Sequence, residues 1–133
     1  MKKILVLEDE PPVMRIFEAV LRGYTVVGAS TAAQAIFEHG RENFELLIAD
    51  VRLAVSSGVL VAVELHSRTP ALRTILTSGC PLNMWDEEDL AKLRELPLGA
   101  VSILQKPFVP ETLLAKVYGL IGEPAASSIA AVS

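Results

Sequence analysis

The stretch Leu46-Leu47-Ile48-Ala49-Asp50 decides how this chain is read: four apolar residues in a row end on a carboxylate. A short uninterrupted apolar run suits a strand buried on both faces, as parallel sheets require. An earlier run, Ile4-Leu5-Val6-Leu7, ends the same way on Glu8-Asp9. In one parallel sheet, Glu8, Asp9 and Asp50 would meet at the carboxyl edge, where open α/β sheets place their ligands.

Outward from these two runs, apolar segments alternate with amphipathic ones along the chain, the sequence form of repeated βα units. Strands are expected over 3–7, 25–29, 46–49, 74–77 and 101–105. The spacing of Val13, Ile16, Phe17, Val20 and Leu21 predicts a helix over 12–21, ended by Gly23. Thr31 and Ser57 are candidate N-caps for helices running to His39 and to about Arg68. Leu113, Leu114, Val117 and Leu120 predict a last helix over 110–121. The interval 81–97 is the least regular, with Trp85, the acidic group Asp86-Glu87-Glu88-Asp89, and Leu90, Leu93 and Leu96 at helical spacing. The acidic group reads as a solvated first turn, because carboxylates favour a helix N-terminus. Right-handed crossovers and five units favour an α/β, flavodoxin-like parallel sheet of order 2-1-3-4-5 with helices on both faces. Residues 1–122 are read as one domain, and 123–133 as a small, polar, disordered tail.

The 133-residue length fits a single domain, and the 51% hydrophobic content favours a sheet covered on both sides. A net charge of -4, with Lys and Arg scattered, argues against direct nucleic-acid binding. One cysteine, Cys80, cannot form an internal disulfide and fits a reducing compartment. Met1-Lys2-Lys3 precedes an apolar run that Glu8-Asp9-Glu10 cuts short of the roughly 7–15 residues of a signal-peptide core. No stretch approaches the roughly 18 apolar residues of a membrane span. The expectation is a soluble, cytoplasmic chain, complete from its native-looking start.

Two bare carboxylates about 4 Å apart repel by roughly 4 kcal/mol at an effective dielectric of about 20, so the three acids need a cation. Oxygen-only ligands with open positions suit Mg²⁺. Lys106, before Pro107-Phe108, ends the fifth strand and would bring an ammonium to the same edge. Ser78 ends the fourth and would bring a hydroxyl. His39 and His66 match no metal spacing and read as ordinary surface histidines.

In this order the motifs Val6-Leu7-Glu8-Asp9-Glu10, Leu47-Ile48-Ala49-Asp50, Gly58, Leu76-Thr77-Ser78-Gly79 and Lys106-Pro107-Phe108 resemble the receiver domain of two-component response regulators. The resemblance spans Lys3 to about Ile121 and is closest to single-domain, chemotaxis-regulator-like receivers. It implies that Asp50 is the phosphoacceptor, served by a histidine kinase, a phosphotransfer protein or a small phosphodonor. It implies that Asp9 ligates Mg²⁺ directly and Glu8 mainly through water, with Asp50 and the Arg52 carbonyl completing the protein ligands. Lys106 would neutralise phosphoryl charge, and Ser78 would be the switch hydroxyl, with Thr77 as runner-up by one residue. The Lys106–Pro107 bond is similar to one that is cis in the family. By the same resemblance the chain is a switch and not an enzyme, assisting only its own phosphorylation and dephosphorylation.

Several positions depart from the family pattern. Leu53-Ala54 replaces the usual Met-Pro, and Ile103 stands where an aromatic residue commonly partners the switch hydroxyl. The interval from Ser78 to Lys106 is longer than typical, so an expanded fourth helix and loop around Trp85 is expected, offering a surface to an unidentified output protein. The leading expectation is a stand-alone phosphorylation-dependent switch. The alternative is a pseudo-receiver that docks partners independently of phosphorylation, motivated by Ile103.

Overall fold

A computed structural model describes residues 1–124. The five strands are β1 (Lys3–Leu7), β2 (Thr25–Ala29), β3 (Leu46–Asp50), β4 (Arg73–Ser78) and β5 (Val101–Gln105). All four pairings are parallel, in the order β2-β1-β3-β4-β5. The helices are α1 (Pro11–Val20), α2 (Ala32–Arg41), α3 (Gly58–Arg68), α4 (Glu87–Leu93) and α5 (Pro110–Ile121). The expected α/β architecture and strand order are therefore those observed. The tail expectation for 123–133 falls mostly on residues outside those described.

Strand alternation divides the core in two. Ile4, Val6, Leu46, Ile48, Ile75 and Leu104 pack under Phe17 and Leu21 of the α1 segment and Leu113 and Val117 of α5. Leu5, Leu7, Leu47, Ala49 and Leu76 face the other way, against Ala35 of α2 and Val59, Ala62 and Leu65 of α3. β3 is buried at every position because both layers cover it. That places Asp50 at the end of a strand fixed from both sides.

The predicted caps form. Thr31 accepts a hydrogen bond from the Gln34 N–H at 3.1 Å, and Ser57 accepts one from Val59 at 3.1 Å. At Gly58 the α3 start crosses so close to β3 that a Cβ would stand 2.1 Å from the Asp50 carbonyl oxygen, so only glycine fits there.

The fourth crossover corrects the sequence reading. α4 has only seven residues, and the extra chain forms two 3₁₀ turns, Leu82–Met84 and Leu98–Ala100. Pro81 and Pro97 sit immediately before those turns and keep the backbone from joining one longer helix. Trp85 is core and not surface: it is 6% exposed, packs with the α2–α3 layer, and its Nε1 donates to the Cys80 carbonyl at 3.4 Å. An indole this large gains more from burial than from solvent exposure. Leu82 and Met84 are exposed in its place. Of the acidic group, Asp86, Glu87 and Glu88 are solvated as expected, whereas Asp89 is buried. His39 and His66 are half-buried, the first bonded through Nε2 to the Thr69 hydroxyl at 3.0 Å.

Candidate functional site

The carboxyl edge gathers its groups from three strands. β1 and β3 are adjacent in register, Leu7 beside Ala49, so the residues that follow them converge. Glu8, Asp9 and Asp50 each bring a carboxylate oxygen within 4.8 Å of the others. β5 adds Lys106 one residue past its end, and the Lys106 N–H donates to the Ser78 carbonyl at 2.8 Å, holding the two loops together. The Lys106–Pro107 peptide is cis.

Lys106 Nζ donates to Glu8 Oε1 at 3.0 Å and to Asp50 Oδ2 at 3.1 Å. The second Glu8 oxygen accepts from the Glu10 N–H at 3.2 Å, and Asp50 Oδ1 accepts from the Arg52 N–H at 3.2 Å. Asp9 Oδ2 accepts from the Ala54 N–H at 2.9 Å, tying the first loop to the one after β3. Sequence reasoning did not find that tie, because the Ala54 side chain carries no signal for a backbone donor.

Two opposing effects set the charge state. Burial pushes the Glu8 carboxyl above its ordinary 4.5, and the bond and charge of Lys106 only partly pull it back, while Asp50 pushes it further up. Burial would lower Lys106, but its bonds to Glu8 and Asp50 outweigh this and raise it above 10.5. The ammonium is secure at neutral pH, while burial works against charge on Glu8. Three carboxylates facing one ammonium make an oxygen-rich, net-negative cluster, which fits a small hard divalent cation with open positions. A cleft of about 280 Å³ reaches Glu8 and Asp9, but not Asp50, from the side of Pro11, Met14, Ser30 and Gln34.

Ser78 and Thr77 point to opposite faces, since Leu76 belongs to the core under α2–α3 and Ile75 to the core under α1–α5. Ser78 therefore shares its face with Ile103, which pairs with Leu76 and packs against that same core. The Ser78 hydroxyl is turned into its own loop, donating to the Cys80 carbonyl at 2.9 Å and accepting from the Cys80 N–H at 3.1 Å. Thr77 pairs in register with Asp50 and lies on the same sheet face. The structure thus brings Glu8, Asp9, Asp50 and Lys106 into direct proximity and leaves Ser78 beside the cluster, bonded elsewhere. Arg52 lies in the turn after Asp50, where its backbone closes a bridge to Ser57.

Comparison with known proteins identifies the family and the fold. The sequence profile of the response regulator receiver domain matches residues 4–118. The chain is 29% identical over 122 residues to the alkaline phosphatase synthesis transcriptional regulatory protein PhoP of Bacillus subtilis, covering 90% of this chain and 48% of that protein. It is 31% identical over 113 residues to the alginate biosynthesis transcriptional regulatory protein AlgB of Pseudomonas aeruginosa, covering 84% of this chain and 24% of that one. The chain thus spans half or less of the length of these relatives. Among solved structures, response regulator TrrA of Thermotoga maritima, in complex with Mg(2+)-BeF, superposes with a TM-score of 0.77 at 25% identity, covering 91% of this chain and 100% of the other. The CheY-like receiver domain protein of Methanospirillum hungatei shares the fold, with a TM-score of 0.76 at 24% identity, covering 88% and 90%. No helix among the described residues is long and apolar enough to cross a membrane.

Proposed function

Since the chain belongs to the response regulator receiver domain family, we propose that it is a phosphoacceptor switch in which Asp50 takes a phosphoryl group and thereby alters partner binding. One observation carries this reading: the Asp50 carboxylate, at the end of a fully buried strand, is held by an ammonium at 3.1 Å inside a cluster of three carboxylates. Mg²⁺ fits the donor set, and Asp9, Glu8, Asp50 and the Arg52 carbonyl would hold it. Bound there, it would supply positive charge for the phosphoryl oxygens.

The chain's own residues do the rest. An Asp50 oxygen attacks phosphorus, the new O–P bond forms, and the P–N bond of a phosphohistidine or the P–O bond of a small phosphodonor breaks, with its electron pair leaving on the donor. Lys106, already bonded to Asp50, stands where phosphoryl charge arrives and stabilises it. Ser78 leaves the Cys80 carbonyl and turns to a phosphoryl oxygen, exchanging one hydrogen bond for a charge-assisted one. That exchange loosens the loop after β4 and couples Asp50 to the segment 82–98. An output protein would read the change there through exposed Leu82 and Met84, with Trp85 as the buried support. The donor is a histidine kinase or a phosphotransfer protein.

Incubation with acetyl phosphate and Mg²⁺ tests this. The expected product is one acid-labile, hydroxylamine-sensitive adduct that Asp50→Asn abolishes. An adduct that survives this substitution, or no adduct on the folded wild-type protein, would refute the assignment.

A further inference from the structure

Thr77 carries a hydroxyl that the mechanism above does not use. The residue is 1% exposed, and its Oγ1 has no hydrogen-bond partner among the described residues. A buried, unpartnered hydroxyl costs free energy, and valine would fill the same space without that cost. Its surroundings limit what it can bond. Ile75, two residues earlier on the same face, and Leu104, its register neighbour on β5, are apolar. On the other side its register neighbour is Asp50. The Lys106 ammonium bonded to Asp50 only donates. By strand register, the neighbouring side-chain acceptor on this face is the Asp50 carboxylate, whose oxygens accept from Lys106 and the Arg52 N–H.

Phosphorylation changes that occupancy. One Asp50 oxygen becomes the bridging oxygen to phosphorus and the other the acyl carbonyl oxygen. Negative charge moves outward onto the phosphoryl group, and the Lys106 ammonium follows it. We propose that the Thr77 hydroxyl then donates a hydrogen bond to the carboxyl group of phosphorylated Asp50, making Thr77 a second hydroxyl of the site, on the opposite sheet face from Ser78. This rests on Asp50 being the acceptor. In hydrolysis, water oxygen attacks phosphorus, the Asp50 O–P bond breaks, and its electron pair returns to the carboxylate while the water proton leaves with phosphate. The returning charge spreads over both carboxylate oxygens, so a donor on this group stabilises the leaving group and speeds loss of the phosphoryl group.

The test compares wild type, Thr77→Val and Thr77→Ser, each phosphorylated with acetyl phosphate and Mg²⁺. Dephosphorylation is followed after the donor is removed, and the acyl carbonyl stretch is read by infrared difference spectroscopy on carbon-13 aspartate protein. Thr77→Val is expected to lose its phosphoryl group about three- to tenfold more slowly, the range of one neutral hydrogen bond. Its carbonyl band moves to higher wavenumber, and Thr77→Ser restores both properties. Thr77→Ala gives the same readouts should valine distort the strand. An unchanged rate, or a slower rate without the band shift, overturns the role of Thr77 while leaving Asp50 as acceptor. If wild type takes up no phosphoryl group on Asp50, both readings fall together.

Discussion

The two ends of the one sheet treat charge in opposite ways. At the amino edge several charged and polar groups meet complements, although His66 Nδ1 near the end of α3 has none among the described residues. The Tyr24 hydroxyl donates to the Gly122 carbonyl at 2.7 Å, Lys2 Nζ donates to the Ile121 carbonyl, and the Lys3 N–H donates to Glu45 Oε2 at 2.6 Å. Lys3 Nζ pairs with Glu42 at 2.7 Å, and Arg73 donates to the Gly99 carbonyl at 2.9 Å. Gly122, at φ 84°, gives the end of α5 the turn that delivers these carbonyls. At the carboxyl edge three carboxylates gather beside one ammonium that bonds two of them, and burial works against the charge on Glu8. The same fold can settle its charges, as one end demonstrates. On the proposed function, the unsettled end is where an incoming cation and phosphoryl group would gain, and the settled end would keep the strands in place as they bound.

The largest expected effect comes from crowding the unsettled end. Gly58→Ala would put a methyl carbon 2.1 Å from the Asp50 carbonyl oxygen. Overpacking costs about 1–3 kcal/mol where side chains can yield, and here backbone must move, so a loss of about 3 kcal/mol or more is expected from urea unfolding midpoints. A loss below about 1 kcal/mol would mean that α3 can retreat from β3 and that the edge is less rigid than described.

Lys106→Met comes next. Removing one partner of a buried pair costs about 3–5 kcal/mol, reduced here to about 2 because Glu8 can take up a proton. The pH dependence has a definite sign. The Glu8 carboxyl is already raised above 4.5 when folded and rises further without the lysine. The variant's stability is then fully present below 4.5 and falls as pH rises through the folded value. Mg²⁺ should recover part of the loss at neutral pH. If the variant is as stable as wild type without metal, the carboxyl edge is not charge-strained and the contrast between the two ends fails.

The contrast also marks what the sequence made legible. The runs ending at Leu7 and Ala49 announced their strands because a both-faces-buried strand is apolar throughout, and the acids after them announced the acidic cluster. Caps at Thr31 and Ser57 were equally open, since their chemistry is local. The segment around Trp85 was misread because periodicity in Leu90, Leu93 and Leu96 says nothing about where Pro81 and Pro97 interrupt the backbone. Hydropathy could not say whether a lone indole is core or surface. The separation of Thr77 from Ser78 was within reach, as alternation from Ile75 and Leu76 puts the two hydroxyls on different faces. What alternation could not give was that Ser78 is bonded to Cys80, or that Lys106 chooses Glu8 as well as Asp50. Those depend on loop backbone, which no side-chain pattern encodes.

The smallest expected effect tests the settled end. Tyr24→Phe removes the hydrogen bond to Gly122 and leaves that carbonyl beside the Lys2–Ile121 contact, for a loss of about 1 kcal/mol near neutral pH. Burial, with smaller contributions from Tyr118 and Glu123, pushes the Tyr24 phenol up to about 12. The unfolded chain releases this proton near 10.0, so between 10.0 and about 12 the unfolded state binds fewer protons than the folded state, and stability falls as pH rises. Tyr24→Phe lacks that contribution, so the wild-type advantage should shrink through the window. Lys106, raised above 10.5, loses its stabilising charge in the same alkaline range in both proteins and cancels from the difference. The difference curve from chemical denaturation therefore isolates the amino edge. A constant difference across the window would mean that the phenol ionises as it does in water and that this end is open. A neutral-pH loss larger than that of Lys106→Met would reverse the order, because the strain would then lie at the end where the charges are paired.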